Sequence, residues 1–266
     1  MPRFRLLIEY AGTRYSGWQI QKNARTVQGE IDRAVRETSG RPDFELYGSG
    51  RTDAGVHALG QVAHLDLQTT ASAEELVAAI NDRLPADINV LAGARVPRRF
   101  HARHDAVARS YLYQVALRRT AFAKPYVWWV REPLDPESMQ AAASHFRGMH
   151  DFQAFTDADP DDASTDVLVE SVRMDRVDDL LLVRIEGSHF LWKMVRRMVG
   201  VLVEAGRGGL EPGAVGRLLA GRSRMPARVT APASGLFLER VFYPGERRDY
   251  PLVPALFTLT RARLGP

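Results

Sequence analysis

The segment Gly48-Ser49-Gly50-Arg51-Thr52-Asp53-Ala54-Gly55-Val56-His57-Ala58-Leu59-Gly60-Gln61-Val62-Ala63-His64 carries the residue types best placed to do chemistry. One carboxylate, Asp53, lies in a glycine-punctuated loop, with Arg51 two residues before it and His57 four after it. A carboxylate in such a loop can act as nucleophile or base, and loops set on a rigid scaffold are where catalytic groups tend to sit. Two phosphate-cradling patterns fail at this point. The dinucleotide fingerprint requires a third glycine where Asp53 stands, and the P-loop requires Gly-Lys-Ser/Thr where Gly55-Val56-His57 stands. Spacing alone leaves an ordinary turn and a catalytic carboxylate both open. His57, His64, His101 and His104 raise the question of metal, but there is no cysteine and no His-Glu-x-x-His, so no metal site is expected.

The elements that must position this loop are legible from periodicity. Phe4, Leu6, Ile8 and Tyr10 alternate with Arg5 and Glu9, a strand pattern, and Val27, Ile31, Ala34 and Val35 recur at helical spacing. Phe44 to Tyr47 and Gln61 to Leu67 read as strands flanking the loop. Ser72-Ala73-Glu74-Glu75 is a capping box opening a helix whose stripe is Leu76, Ala79, Ile80 and Leu84, ended by Pro85. Ile88 to Arg95 is a further strand. In the second half, Val107 to Leu117 is a long strand with Tyr111, Tyr113 and Val115 on one face. Asp135-Pro136 caps a helix carrying Met139, Ala142, Ala143 and Phe146, stopped by Gly148. Val167 to Met174 and Leu180 to Glu186 read as strands joined by a turn over 175–179. Met194, Val195, Met198, Val199, Leu202 and Val203 mark a long helix ending at Gly206 to Gly209. Val215, Leu218 and Leu219 mark a short helix, and Phe237 to Tyr243 a last strand. Strands joined by turns and interspersed helices predict an α+β fold of two halves, 1–104 and 105–266, with a shared or continuous, mainly antiparallel sheet.

Composition bounds the function classes. A chain of 266 residues, 45% hydrophobic and 26% charged, is an ordinary globular sequence. The start Met1-Pro2-Arg3-Phe4-Arg5 lacks the apolar stretch of a signal peptide, and no apolar run approaches the ~20 residues that span a bilayer, so the protein reads as cytoplasmic without a membrane partner. Net charge is +4 and the pI about 9.6, which draws polyanions. All but Lys22, Lys124 and Lys193 of the basic residues are arginines, a bias that a GC-rich genome also produces. Local clusters are more telling: Arg95, Arg98, Arg99 and Arg103, then Lys193, Arg196 and Arg197. Asp157, Asp159, Asp161 and Asp162 form an acidic loop, expected to lie off any phosphate backbone.

The full Asp53 string resembles the signature of the tRNA pseudouridine synthase A family, which modifies the anticodon stem-loop. The resemblance runs in family order along nearly the whole chain: Tyr10-Ala11-Gly12-Thr13, Gly17-Trp18-Gln19, Thr26-Val27-Gln28-Gly29-Glu30, Phe100-His101-Ala102-Arg103, Ala108-Arg109-Ser110-Tyr111-Leu112-Tyr113, Met194-Val195-Arg196-Arg197-Met198-Val199-Gly200 and Gly235-Leu236-Phe237-Leu238. It implies the pseudouridine synthase fold, with a cleft between the halves, and isomerisation of uridines 38, 39 and 40 of tRNA without metal or organic cofactor. It also implies a homodimer whose subunits both contact one tRNA. By the same resemblance Asp53 is the catalytic carboxylate. Tyr111 is the tyrosine that stacks on the flipped uracil, where the residues alone allow a core aromatic. Arg196 is the arginine that pairs with the aspartate, where the residues alone allow a solvated helix face. Arg51 is the arginine that enters the stem beside the flipped base, and Leu236 the apolar contact under the uracil. The chain departs from the family pattern at Ala11, where an aspartate is usual, at Arg197, where asparagine is common, and at Ala163-Ser164-Thr165-Asp166-Val167, which lacks the usual arginine. Two alternatives stand beside this reading: a sister synthase with other RNA targets, and an RNA-binding or folding module without catalysis.

Overall fold

A computed structural model describes residues 1–157 and 164–256, and the two central acids Asp159 and Asp161, with Asp162, lie outside the described residues. The architecture is α+β with mainly antiparallel strands. The chain divides into two compact units. The first comprises Met1–Arg109 and Phe237–Arg248, the second Ser110–Leu236 with the described residues from Asp249 on.

In the first unit β1 (Arg3–Tyr10) pairs antiparallel with both β3 (His57–Leu67) and β4 (Ile88–Val96), and β2 (Phe44–Gly48) pairs with β3. The predicted alternation on β1 is real: Phe4, Leu6, Ile8 and Tyr10 are buried and their neighbours are not. β3 is buried along almost its whole length, so both of its faces are covered. Helix α1 (Val27–Ser39) buries Val27, Ile31, Ala34 and Val35, and Thr26 caps it by accepting from the Gly29 N–H. Helix α2 (Ala73–Asn81) starts at the predicted Ser72 capping box, with both reciprocal bonds formed. It ends before Leu84, because Arg83 and Leu84 continue as tight turns on Ile80 and Asn81 ahead of Pro85. The last strand, β10 (Leu236–Phe242), lies parallel to β3, with Phe237 opposite His57 and Leu238 opposite Ala58.

The second unit is built on β5 (Ala108–Ala116), β8 (Asp166–Val177) and β9 (Leu180–Gly187), with the short β6 (Trp128–Trp129) parallel to β5 and β7 (Gly148–Asp151) antiparallel to β8. Asp135 caps helix α3 (Pro136–Ser144), which stops before Phe146; Gly148, expected only as a stop, starts β7 at φ 108°. β8 and β9 run on to Val177 and Leu180, so their turn is tighter than the polar 175–179 run suggests. Helix α4 (Met194–Gly206) matches its predicted span, and α5 (Ala214–Leu219) and α6 (Met225–Arg228) follow. No helix among the described residues is long and apolar enough to cross a membrane.

Candidate active site

The Asp53 loop is held by its backbone. Trp18 N–H donates to the Thr52 carbonyl at 3.1 Å, Gly55 N–H to the Tyr15 carbonyl at 3.2 Å, and Val56 N–H to the Asp53 carbonyl at 3.1 Å. The Thr52 hydroxyl bonds the buried Tyr10 hydroxyl at 2.8 Å. Two glycines make the approach possible. A Cβ on Gly12 would sit 1.9 Å from the Val56 carbonyl oxygen, and one on Gly17, at φ 91°, would sit 2.4 Å from the Thr52 oxygen. The opening motif and the Asp53 string are therefore one structural piece. His57 is part of its frame: it is buried, its Nδ1 accepts from Gly12 N–H at 3.0 Å, and its ring stacks on Phe237 at 4.7 Å. It is the first residue of β3. Asp53 itself is half-buried at the crest of the loop, and Arg51 is exposed.

Behind the loop, Ser49 and Gln61 exchange a 2.7 Å bond, and Gln61 Nε2 donates to the Gly50 carbonyl at 3.0 Å. Arg109 also reaches the Ser49 carbonyl, at 3.1 Å. Further along β3, His64 is buried and stacks on Tyr47 at 5.7 Å, and its Nδ1 accepts from Ala102 N–H. Burial, with the charge of Arg3 adding to it, pulls its pKa down to about 4. Asp66 is held ionised by a two-oxygen pairing with Arg3 at 2.6 Å, which keeps its carboxyl below the usual range. Among the described residues no group of three or more His, Cys, Asp or Glu is arranged to hold a metal ion.

In the second unit Tyr111 is half-buried on β5, its ring edge-on to Phe190 at 5.2 Å and 85°. Tyr113 has a different environment. It is fully buried, its hydroxyl donates to the Pro232 carbonyl at 2.8 Å, and burial pushes its pKa well above the ordinary value. Gly235 is required beside it, because a Cβ there would lie 2.6 Å from the Tyr113 ring. The 3-10 turn Ala233–Gly235 so fixed leads into Leu236, which is buried.

Arg196 is tied twice to one residue. Its Nε donates to the Ala231 carbonyl at 2.7 Å, and its own carbonyl accepts from Ala231 N–H at 3.0 Å. This sets the direction of its guanidinium and explains Gly200 one turn on, where a Cβ would lie 1.8 Å from the Val229 oxygen. Arg197 is unlike its neighbour. It is buried and pairs with Asp157, which also binds Lys193 Nζ at 2.8 Å. Lys193 holds its place in the left-handed region, at φ 63°. The second basic cluster is thus not an open cationic patch: two of its three charges are engaged by the first acid of the acidic loop. Arg98, Arg99 and Arg103 of the other cluster are exposed, whereas Arg95 lies over the Phe4 ring at 5.5 Å and bonds the Ala71 carbonyl. Phe190 and Ala231, which orient Tyr111 and Arg196, escaped the sequence reading. An aromatic and an alanine in loops carry no periodic signal, and only their distance from the motif residues betrays them.

Comparison with known proteins shows the family of the chain. A family model described as tRNA pseudouridine synthase matches residues 6–105 and 142–244. A protein of Maricaulis maris named tRNA pseudouridine synthase A is 42% identical, over 92% of this chain and 99% of its own. One of Halalkalibacterium halodurans with the same name is 41% identical, over 90% of this chain and 92% of its own. A third, of Acetivibrio thermocellus, is 39% identical, over 91% of this chain and 100% of its own.

Proposed function

The chain belongs to the tRNA pseudouridine synthase family, and from that premise we propose how and where it isomerises uridine in tRNA. The targets are uridines 38, 39 and 40 of the anticodon stem-loop. The reaction breaks the glycosidic N1–C1′ bond, turns the base and forms C5–C1′; the C5 proton leaves and N1 gains one, so the change is redox-neutral. Asp53 is the carboxylate that acts on the nucleotide. The observation that supports this assignment is the backbone clamp on its loop: bonds from Trp18 and Gly55, with Gly12 and Gly17 in close contact, fix the main chain that carries Asp53.

The other roles follow the same reading. Tyr111 stacks on the uracil once it has left the helix, a step costing a few kcal/mol. Arg196, oriented by Ala231, is the arginine that the family resemblance assigns as the partner of Asp53. Arg51 enters the stem beside the flipped base, and Leu236 lies beneath the ring. The protein works in the cytoplasm as a homodimer, by analogy with the family's bacterial members. The test is carbodiimide primer extension on unmodified tRNA after incubation with the enzyme. Stops at 38, 39 and 40 are expected. Stops elsewhere would identify a sister specificity, and tRNA bound without stops would identify a binding module.

A further inference from the structure

A cavity of about 50 Å³ opens within the first unit, lined in part by Trp18, Tyr47, Gly48, Arg51 and Arg103. Its walls offer donors. Arg51 and Arg103 are exposed, and no described residue bonds to either guanidinium. Trp18 is only 2% exposed, yet no described residue accepts from its indole N–H. Gly48 keeps that N–H uncovered, since a Cβ there would lie 2.6 Å from Nε1. The Gln28 amide is already engaged: its Nε2 donates to the Leu46 carbonyl and its Oε1 accepts from Ile20 N–H. Among the described residues, no Asp or Glu lines the cavity.

Both arginines stand on fixed turns. His101 Nδ1 accepts from the N–H groups of Arg103 and His104 at 3.2 Å, and the Asp105 carboxylate accepts from His101 N–H at 2.9 Å. The Gln61 bond to the Gly50 carbonyl holds the residue before Arg51. Two guanidinium groups and the accessible indole N–H of a buried tryptophan, with no carboxylate among the described lining residues, make a donor-rich site, which favours an oxyanion.

We propose that this cavity seats one backbone phosphate of the RNA substrate, an inference that rests on the tRNA reading above. Arg103 and the Trp18 N–H grip the phosphate oxygens, while Arg51 borders the seat on the side of the Asp53 loop. The contact positions the RNA and carries no base information.

The test uses the whole protein and unmodified tRNA. Phosphate-ethylation interference compares wild type with Arg103→Ala, an exposed position whose loss leaves the core intact. One phosphate whose ethylation hinders wild-type binding should cease to matter in the variant, and the log-log salt slope should fall by roughly 0.7 to 0.9. In parallel, the indole N–H resonance of Trp18, assigned as the peak missing from Trp18→Phe, should move on adding tRNA. An interference pattern unchanged in Arg103→Ala overturns the proposal, whether or not Trp18→Phe folds. So does an indole resonance that responds to inorganic phosphate but not to tRNA, which would mark a free-anion site. Tritium release by the wild type reports the isomerase separately. Its absence would sink the functional reading, whereas release with unchanged interference would sink only the phosphate seat.

Discussion

Two aspartates in loops, Asp53 and Asp157, are held in opposite ways. Asp53 is held through its backbone: the carbonyls of Tyr15, Thr52 and Asp53 accept loop N–H groups, and two glycines let the chains touch. Asp157 is held through its carboxylate, which Lys193 and Arg197 bind together and keep below the usual carboxylate pKa. The first arrangement fixes the main chain of the loop that carries the carboxylate. The second makes the side chain itself the fastening. A carboxylate meant to react belongs to the first kind, one meant to neutralise a buried arginine to the second.

The sharpest way to break this comparison is to neutralise each acid in turn. Asp53→Asn should lower pseudouridine formation by roughly 10⁴-fold, near the upper range for a single acid–base group, with tRNA affinity within a few-fold and thermal stability unchanged. Tritium release, gel shift and a melting curve check the three parts. Appreciable turnover by pure Asp53→Asn protein would put Asp53 with Asp157 as a structural acid. Next in size is the clamp itself. Gly12→Ala places a Cβ against the Val56 carbonyl and should cost about 3 kcal/mol or more, because backbone must move to admit it. Urea unfolding reads that loss. A variant as stable as wild type would mean the loop is not pinned.

How much of this could be read beforehand differs between the two regions for a physical reason. Capping boxes, strand alternation and the α4 stripe are local signals, and Ser72, Phe4 to Tyr10 and Met194 to Val203 declared themselves. The glycines of the first region also left a trace, since Gly12, Gly17 and Gly55 punctuate the strings that meet there. What could not be read were pairings between distant residues. Nothing in the Asp157 to Asp162 run says that its first acid faces Arg197, so Lys193, Arg196 and Arg197 looked like one basic patch. Nor does the pattern of Phe237 to Phe242 reveal that it runs parallel to β3, because strand character does not encode a partner so far away in the chain.

A smaller effect is expected at the second aspartate. Asp157→Asn leaves the Arg197 guanidinium buried with a weaker partner, and Arg197 Nε already has none among the described residues. Stability should fall by roughly 1 to 3 kcal/mol, the usual penalty for a buried polar group losing its bond. Turnover per folded molecule should stay within a few-fold. Urea unfolding combined with active-site-normalised rates separates the two. A loss of turnover with full stability would mean that Asp157 serves the reaction and not the fold.

The smallest effect concerns acid, which should reach the two regions by different routes. Asp157 has a lowered folded pKa, so its clasp is intact above the ordinary carboxylate range and is lost only as pH falls through that folded value. His64 has a folded pKa pulled down to about 4 from an ordinary 6.5. Above pH 6.5 it is neutral folded or unfolded and contributes nothing to the pH dependence. Below 6.5 the unfolded chain takes up the proton that the folded chain refuses, so stability falls with pH until about 4. At pH 5.5, one unit below the ordinary value, the cost is about 1.4 kcal/mol. Asp157 remains ionised there, so the first region should weaken while the second does not. His64→Asn keeps an acceptor for Ala102 N–H and removes the titration. Unfolding free energies at pH 7.5 and 5.5 should therefore differ by about 1.4 kcal/mol more in wild type than in His64→Asn. The remaining acids and His101, whose pKa is also lowered by burial, cancel in that difference. An equal pH response in both proteins would show that His64 takes up its proton in the folded state, and that the sheet behind the Asp53 loop is wetter than its burial implies.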